Sequence, residues 1–96
     1  MAIYGLQAVR LNKSGHRVTH VLWERFGTRD QTDLFPVEVG VLHAVHALAR
    51  GDRIHLLLKA NAREFRLGPE FHAVVYPGGD EGITIDDYGL RDLPSF

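Results

Sequence analysis

The hydrophobic pattern divides the chain into one helix-like stretch and several short strand-like ones. Between Pro36 and Gly51, Val41, Val45 and Leu48 recur at i, i+4 and i+7, and Leu42 and Ala49 widen the same stripe, the spacing of an amphipathic helix. The flanks agree. Pro36 suits a first helical position, Glu38 falls in the first turn, Arg50 in the last, and Gly51 sits where a left-handed C′ residue closes a helix. Thr32 or Asp33 is placed to cap this helix, and Leu34 or Phe35 to staple its start. The pattern predicts a helix over 36–51.

Elsewhere the period is two. Residues 2–11 and 16–24 read as strands joined by the turn Asn12-Lys13-Ser14-Gly15. After the helix come strands over 53–59 and 63–67, with Ala60-Asn61 turning between them, Phe65 and Leu67 inward and Gly68-Pro69 breaking the second. Two more follow over 71–76 and 82–86, joined through Tyr76-Pro77-Gly78-Gly79, which fits a type II turn. The expected class is α+β: a single helix packed on a curved, mostly antiparallel sheet, in the order ββαββββ. Residues 1–96 form one domain, comprising a hairpin over 1–26, the helix over 36–51, antiparallel strands over 53–86 and an acidic tail over 87–96 packed on the domain.

Simple alternation gives the first hairpin two apolar faces. Val18 and Leu22 oppose Thr19, Val21 and Trp23 on one strand, and Val9 and Leu11 oppose Tyr4, Leu6 and Ala8 on the other. One helix covers only one face of a small sheet. Tyr4, Leu6, Val21 and Trp23 are then left on an uncovered face, larger than a monomer ordinarily exposes. The tail residues Leu90, Leu93 and Phe96, spaced by three, are candidates to cover it, and a second copy in a homodimer is another. These seven residues form the candidate interaction surface.

Composition adds bounds. With 45% hydrophobic and 24% charged residues, 96 residues make one ordinary globular domain. The absence of cysteine excludes disulfides, thiolate nucleophiles and thiolate zinc sites, and agrees with a reducing cytoplasm. The opening Met-Ala-Ile-Tyr-Gly lacks a signal-peptide pattern, and no apolar run reaches membrane-spanning length, so a cytoplasmic protein without a membrane partner is expected. The net charge of −1 hides an asymmetry. Residues 1–29 carry Arg10, Lys13, Arg17, Arg25 and Arg29 against Glu24, a net of +4, whereas residues 78–96 carry Arg91 against Asp80, Glu81, Asp86, Asp87 and Asp92, a net of −4. The acidic tail is thus complementary to the basic hairpin.

Catalytic signals are weak. Ser14 and Ser95 lie outside any nucleophile motif, adjacent Asp86 and Asp87 point to opposite faces of a strand, and Asp80-Glu81 belongs to a glycine-rich turn that repels phosphate. No catalytic activity and no cofactor are expected. Arg10, Lys13, Arg17 and Arg25, interleaved with Tyr4 and Trp23, support an alternative as a nucleic-acid-binding accessory protein, although no RNP motif or basic helix accompanies them. Third, His43 and His46, three apart on the helix, suggest a histidine metal site if His20 or His55 supplies another ligand.

The segment Gly15-His-Arg-Val-Thr-His-Val21, the helix ending at Gly51 before a strand, and the close Leu90-Arg-Asp-Leu-Pro-Ser-Phe96 together resemble a family of small, uncharacterised bacterial and phage proteins, a domain of unknown function. That family opens with a sequence similar to Gly-[Lys/Arg]-Ile-Thr-His-Val and closes with one similar to Asp-Asn-Leu-x-x-Leu-Pro. Here Tyr88-Gly89 stands in place of Asp-Asn; Asn and Gly both tolerate positive φ, so the replacement is compatible with a turn but removes any role of an Asp side chain. The resemblance implies a compact α+β fold with an integral tail, and no activity. The resulting expectation is a small cytoplasmic interaction or accessory module, self-associating and without catalysis.

Overall fold

The computed structural model of the protein describes residues 1–26, 36–59 and 65–96. Its strands are β1 (Ile3–Leu11), β2 (Val18–Phe26), β3 (Val37–Gly40), β4 (Arg53–Lys59), β5 (Phe65–Glu70), β6 (His72–Val75) and β7 (Glu81–Thr84), with the single α-helix α1 (Val41–Ala49) between β3 and β4. Five strands form one sheet in the order β3-β2-β1-β4-β5, and β6-β7 is a separate hairpin. Among the described strands every ladder is antiparallel except that of β1 with β4. The α+β class holds. The element order gains a strand, because β3 occupies the first part of the stretch expected to be helical.

The start of that stretch shows why. Val37 and Val39 are β-branched and alternate with Glu38, and β2 offers an edge to pair with: Val21 faces Val39 and Trp23 faces Val37. Tertiary pairing therefore overrides the helix-start preferences of Pro36 and Glu38. The helix begins only after Gly40, which serves as an N-cap without a side-chain bond. The caps and staple expected at 32–35 lie outside the described residues, as does the Ala60-Asn61 turn. The other end of the helix matches its signals. Gly51, at φ 94°, donates to the Leu48 carbonyl (3.0 Å), and Asp52 donates to that of Ala47 (3.0 Å), a Schellman closure. Ala44, Val45 and Ala47 form the buried stripe, flanked by Val41 and Leu48, whereas Leu42 is 56% exposed and Ala49 is also outside. The small alanines bring the helix backbone close to the sheet.

Asp52 locks the helix end to the first strand. Its Oδ1 accepts the Ala2 amide (2.9 Å) and its Oδ2 accepts Arg50 (3.0 Å), while Arg53 donates to the Ala2 carbonyl. The Ala2 hydrogen bond, aided by the Arg50 guanidinium and opposed by desolvation, holds the Asp52 carboxyl below the usual carboxylate range.

Two irregularities in the first hairpin decide which residues make the core. Leu6 pairs with Trp23 but Ala8 pairs with Leu22, so Gln7 is an extra residue in β1; Arg10 pairs with His20 but Leu11 with Val18, so Thr19 is extra in β2. Each bulge reverses the alternation beyond it. Val9 and Leu11 thereby join Tyr4 and Leu6 on one face, and Val18 joins Val21 and Trp23. This front face packs under α1 and the β6-β7 hairpin, which contributes Ile83, with Phe71 and Ile85 flanking its strands. On the edge strand β5, Gly68-Pro69 makes a third bulge instead of a break, since His55 pairs with Glu70 and Leu57 with Leu67. Proline is tolerated there because an edge strand needs fewer donors. A Cβ on Gly68 would lie 2.8 Å from Leu58 and 3.0 Å from the Leu56 carbonyl oxygen, so the bulge needs glycine. Leu67, expected inward, therefore shares the opposite face with Leu57.

The tail completes the sheet. β4 pairs with β1 only from Ile3 to Leu6, and past that point Val9 donates to the Pro94 carbonyl (2.8 Å) while Phe96 donates to that of Val9 (3.3 Å), a parallel bridge centred on Ser95. A 3₁₀ turn at Leu90–Asp92 precedes it, and Leu93 is buried in the core. Both expected turns form as read. Gly79 donates to the Tyr76 carbonyl with Gly78 at φ 98°, and Asn12 Oδ1 accepts the amides of His16 and Arg17 with Gly15 at φ 73°.

Gly15 is also where the tail grips the hairpin. Arg91 Nη2 donates to the Ser14 carbonyl (2.6 Å), and a Cβ on Gly15 would stand 2.6 Å from Arg91 Nε. Gly15→Ala is expected to lose about 1–3 kcal/mol, from the left-handed conformation and from expelling Arg91. In urea denaturation the penalty should shrink in an Arg91→Ala background; equal penalties in both backgrounds would show that only φ matters.

Candidate functional site

The seven residues expected to form an interaction surface do not form one. Leu6, Val21, Trp23 and Leu93 are buried in the core, and Tyr4 and Leu90 are partly buried against it. Tyr4 stacks on Trp23 with ring centroids 4.0 Å apart at 12°, and Trp23 meets the His43 ring of α1 edge-on at 6.0 Å. Only Phe96 remains exposed, its ring beneath the Arg10 guanidinium at 4.6 Å. The bulges at Gln7 and Thr19 account for the correction, because they turn the apolar residues of both strands toward the helix.

The reverse side of the same sheet, on which no described helix or strand packs, is lined by other residues. Cross-strand pairing places Ile3, Gly5, Ala8 and Arg10 of β1 there, with Leu22 and Glu24 of β2, Glu38 of β3, Arg53, His55 and Leu57 of β4, and Leu67 and Glu70 of β5. Its middle is an apolar ribbon of Ile3, Ala8, Leu22, Leu57 and Leu67. Leu57 lies across Gly5, where a Cβ would approach it to 3.1 Å, and together with Ala8 it is buried without belonging to the core under the helix. Charges flank the ribbon in pairs, Arg10–Glu38 at 3.0 Å on one side and Arg53–Glu70 at 3.8 Å on the other, and Gln7 donates to Glu24 at 3.3 Å. His55 Nδ1 donates to the Gly68 carbonyl at 2.8 Å.

No protein-family model matches the chain, and no curated protein or solved structure is significantly similar to it. The site therefore stands on its geometry.

Two of the four hairpin cations, Arg10 and Arg17, are engaged within the chain. Arg10 pairs with Glu38 and donates to the Phe96 carbonyl at 3.5 Å; Arg17 pairs with Asp80 (3.4 Å) and lies 4.1 Å above the Tyr76 ring. Lys13 and Arg25 are exposed, at the turn and on the front side opposite Tyr4. The two aromatic rings that were to stack bases, Tyr4 and Trp23, stack on each other instead. The tail does reach the hairpin, but through Arg91, Leu93 and main-chain bonds, and among the described residues its acids Asp87 and Asp92 make no ion pair.

His43 and His46 are exposed on α1, whereas His20 and His55 occupy reverse-face positions, so the sheet separates the two pairs. Among the described residues, no three His, Asp or Glu side chains converge on a metal position. Nor is any described helix long and apolar enough to cross a membrane.

Ile3, Leu22, Leu57 and Leu67 were apolar in the sequence and carried no mark of their face.

Proposed function

We propose that this domain is a non-catalytic cytoplasmic interaction module that self-associates as a homodimer through the reverse face of its sheet. The observation carrying this reading is the apolar ribbon of Ile3, Ala8, Leu22, Leu57 and Leu67, flanked on both sides by Arg–Glu pairs. A two-fold axis through such a face sets apolar residues against apolar ones and brings each arginine within reach of a glutamate of the other copy. Isologous contact asks for this kind of self-complementarity, and closed two-fold pairs are the commonest assembly. The cytoplasm is favoured by the lack of cysteine.

Leu22 sits between Ala8 and Glu38 in the middle of the ribbon. Leu22→Lys is expected to reduce the sedimentation mass from two chains to one, leaving the far-UV spectrum unchanged. A wild-type mass of one chain, independent of concentration up to the millimolar range, would end this reading.

A further inference from the structure

Between the C-terminal half of α1 and the β6-β7 hairpin runs a groove of about 700 Å³, on the opposite side of the sheet from the proposed dimer face. Its apolar wall is Val45, Leu48 and Ala49 of the helix, and every residue from Glu70 to Val75 lines the facing side. Val75, at the end of β6, is 67% exposed.

The hairpin's hydrogen bonding explains what that facing side offers. Tyr76 donates to Asp80, and alternation along an antiparallel ladder then directs the main-chain groups of Val74 and His72 toward β7. Those of Phe71, Ala73 and Val75 point away from β7. Phe71 uses its amide on the Ile54 carbonyl at 2.8 Å, which fits this alternation. Among the described residues, Ala73 and Val75 have no main-chain partner on that side. The groove thus contains an unpaired strand edge of two residues beside an apolar helix wall.

Its rim is acidic. Glu81 and Asp86 line it; Asp86 is approached by His72 at 3.7 Å, and Glu81 forms no ion pair among the described residues, whereas the Glu70 side chain turns to Arg53 on the reverse side of the sheet. We infer that the groove takes an extended peptide segment of a partner protein, added as a strand to β6, with apolar residues on the helix wall alternating with lysine or arginine toward the carboxylates. Main-chain bonding at Ala73 and Val75 supplies the orientation, and alternate side chains supply the selection.

This proposal does not depend on self-association, and the Leu22→Lys chain serves as well as the wild type. The probe is the blocked pentapeptide Lys-Val-Lys-Val-Lys, titrated at low salt while amide shifts are followed by NMR. Saturable shifts are expected at Ala73 and Val75, with Glu-Val-Glu-Val-Glu bound at least tenfold more weakly. The double variant Glu81→Lys/Asp86→Lys should reverse that preference. Methylating alternate main-chain nitrogens of the lysine peptide should weaken it at least tenfold, since strand addition needs those donors. Equal binding of both peptides, shifts confined to residues outside the groove, or indifference to N-methylation (as for a helical or purely electrostatic ligand) would each overturn the assignment.

Discussion

Trp23→Ala is expected to destabilise the domain severely, not to split a dimer. The indole is 3% exposed, stacked on Tyr4 at 4.0 Å and edged by His43, and it faces Leu6 across the β1–β2 ladder. Truncating a buried aromatic to alanine costs about 3–5 kcal/mol, through lost transfer energy and the cavity left behind. Against a total stability of about 5–15 kcal/mol for an ordinary domain, that removes a large share. Far-UV circular dichroism in urea should show the midpoint falling steeply. Trp23→Phe keeps a ring against Tyr4 and should retain most of the stability. A variant chain with an unchanged midpoint but a halved sedimentation mass would instead place Trp23 at a surface between copies.

The same residue shows how far the chain could be read from its letters. Local chemistry was legible where it acts locally. Asn12 and Gly15 make the first turn, Pro77 and Gly78 make the second, and Gly51 closes the helix, each through bonds within a few residues. Pairing across the sheet was not legible in this way. Nothing beside Gln7 or Thr19 requires a bulge, yet each one moves every later side chain of its strand to the other face. The helix does shield one face, but the bulges decide that Tyr4, Leu6, Val21 and Trp23 lie on the shielded one. Val37–Gly40 shows a different conflict. Pro36 just before it and Glu38 within it satisfy helix-start preferences while its alternating valines suit a strand, and pairing with β2 settles the matter. Gly68-Pro69 ends a strand in most contexts, but at the sheet's edge it only bends one.

Both proposed surfaces follow from one architectural fact. The helix and the β6-β7 hairpin share the front layer without meeting along their whole length, and nothing described covers the reverse layer. The reverse face is broad, with carboxylates and guanidiniums in balanced pairs, so a second copy of the chain suits it. The groove is acidic and has a strand edge unpaired among the described residues, so an extended cationic segment suits it. Because the sheet separates the two, a substitution in one is not expected to alter the other.

Removing residues 90–96 is expected to cost about as much as losing Trp23. The deletion takes away Leu93, a buried side chain whose truncation alone is worth about 2–5 kcal/mol. It also strips Val9 of both main-chain partners on the side that β4 does not reach, at about 1 kcal/mol or more for each bond. Arg91 leaves the Ser14 carbonyl as well. The shortened chain should melt at a much lower temperature, or remain unfolded at 25 °C. Two single substitutions separate the causes. If packing holds the tail, Leu93→Ala reproduces most of the loss and Asp92→Asn stays within about 0.5 kcal/mol of wild type, as surface changes usually do. If attraction between acidic tail and basic hairpin held it, Asp92→Asn would be the costly change and added salt would lower the melting temperature. The geometry favours the first outcome, since Leu93 lies in the core while Asp92 is exposed. A melt unaffected by the deletion would mean that β1 is complete without its last neighbour.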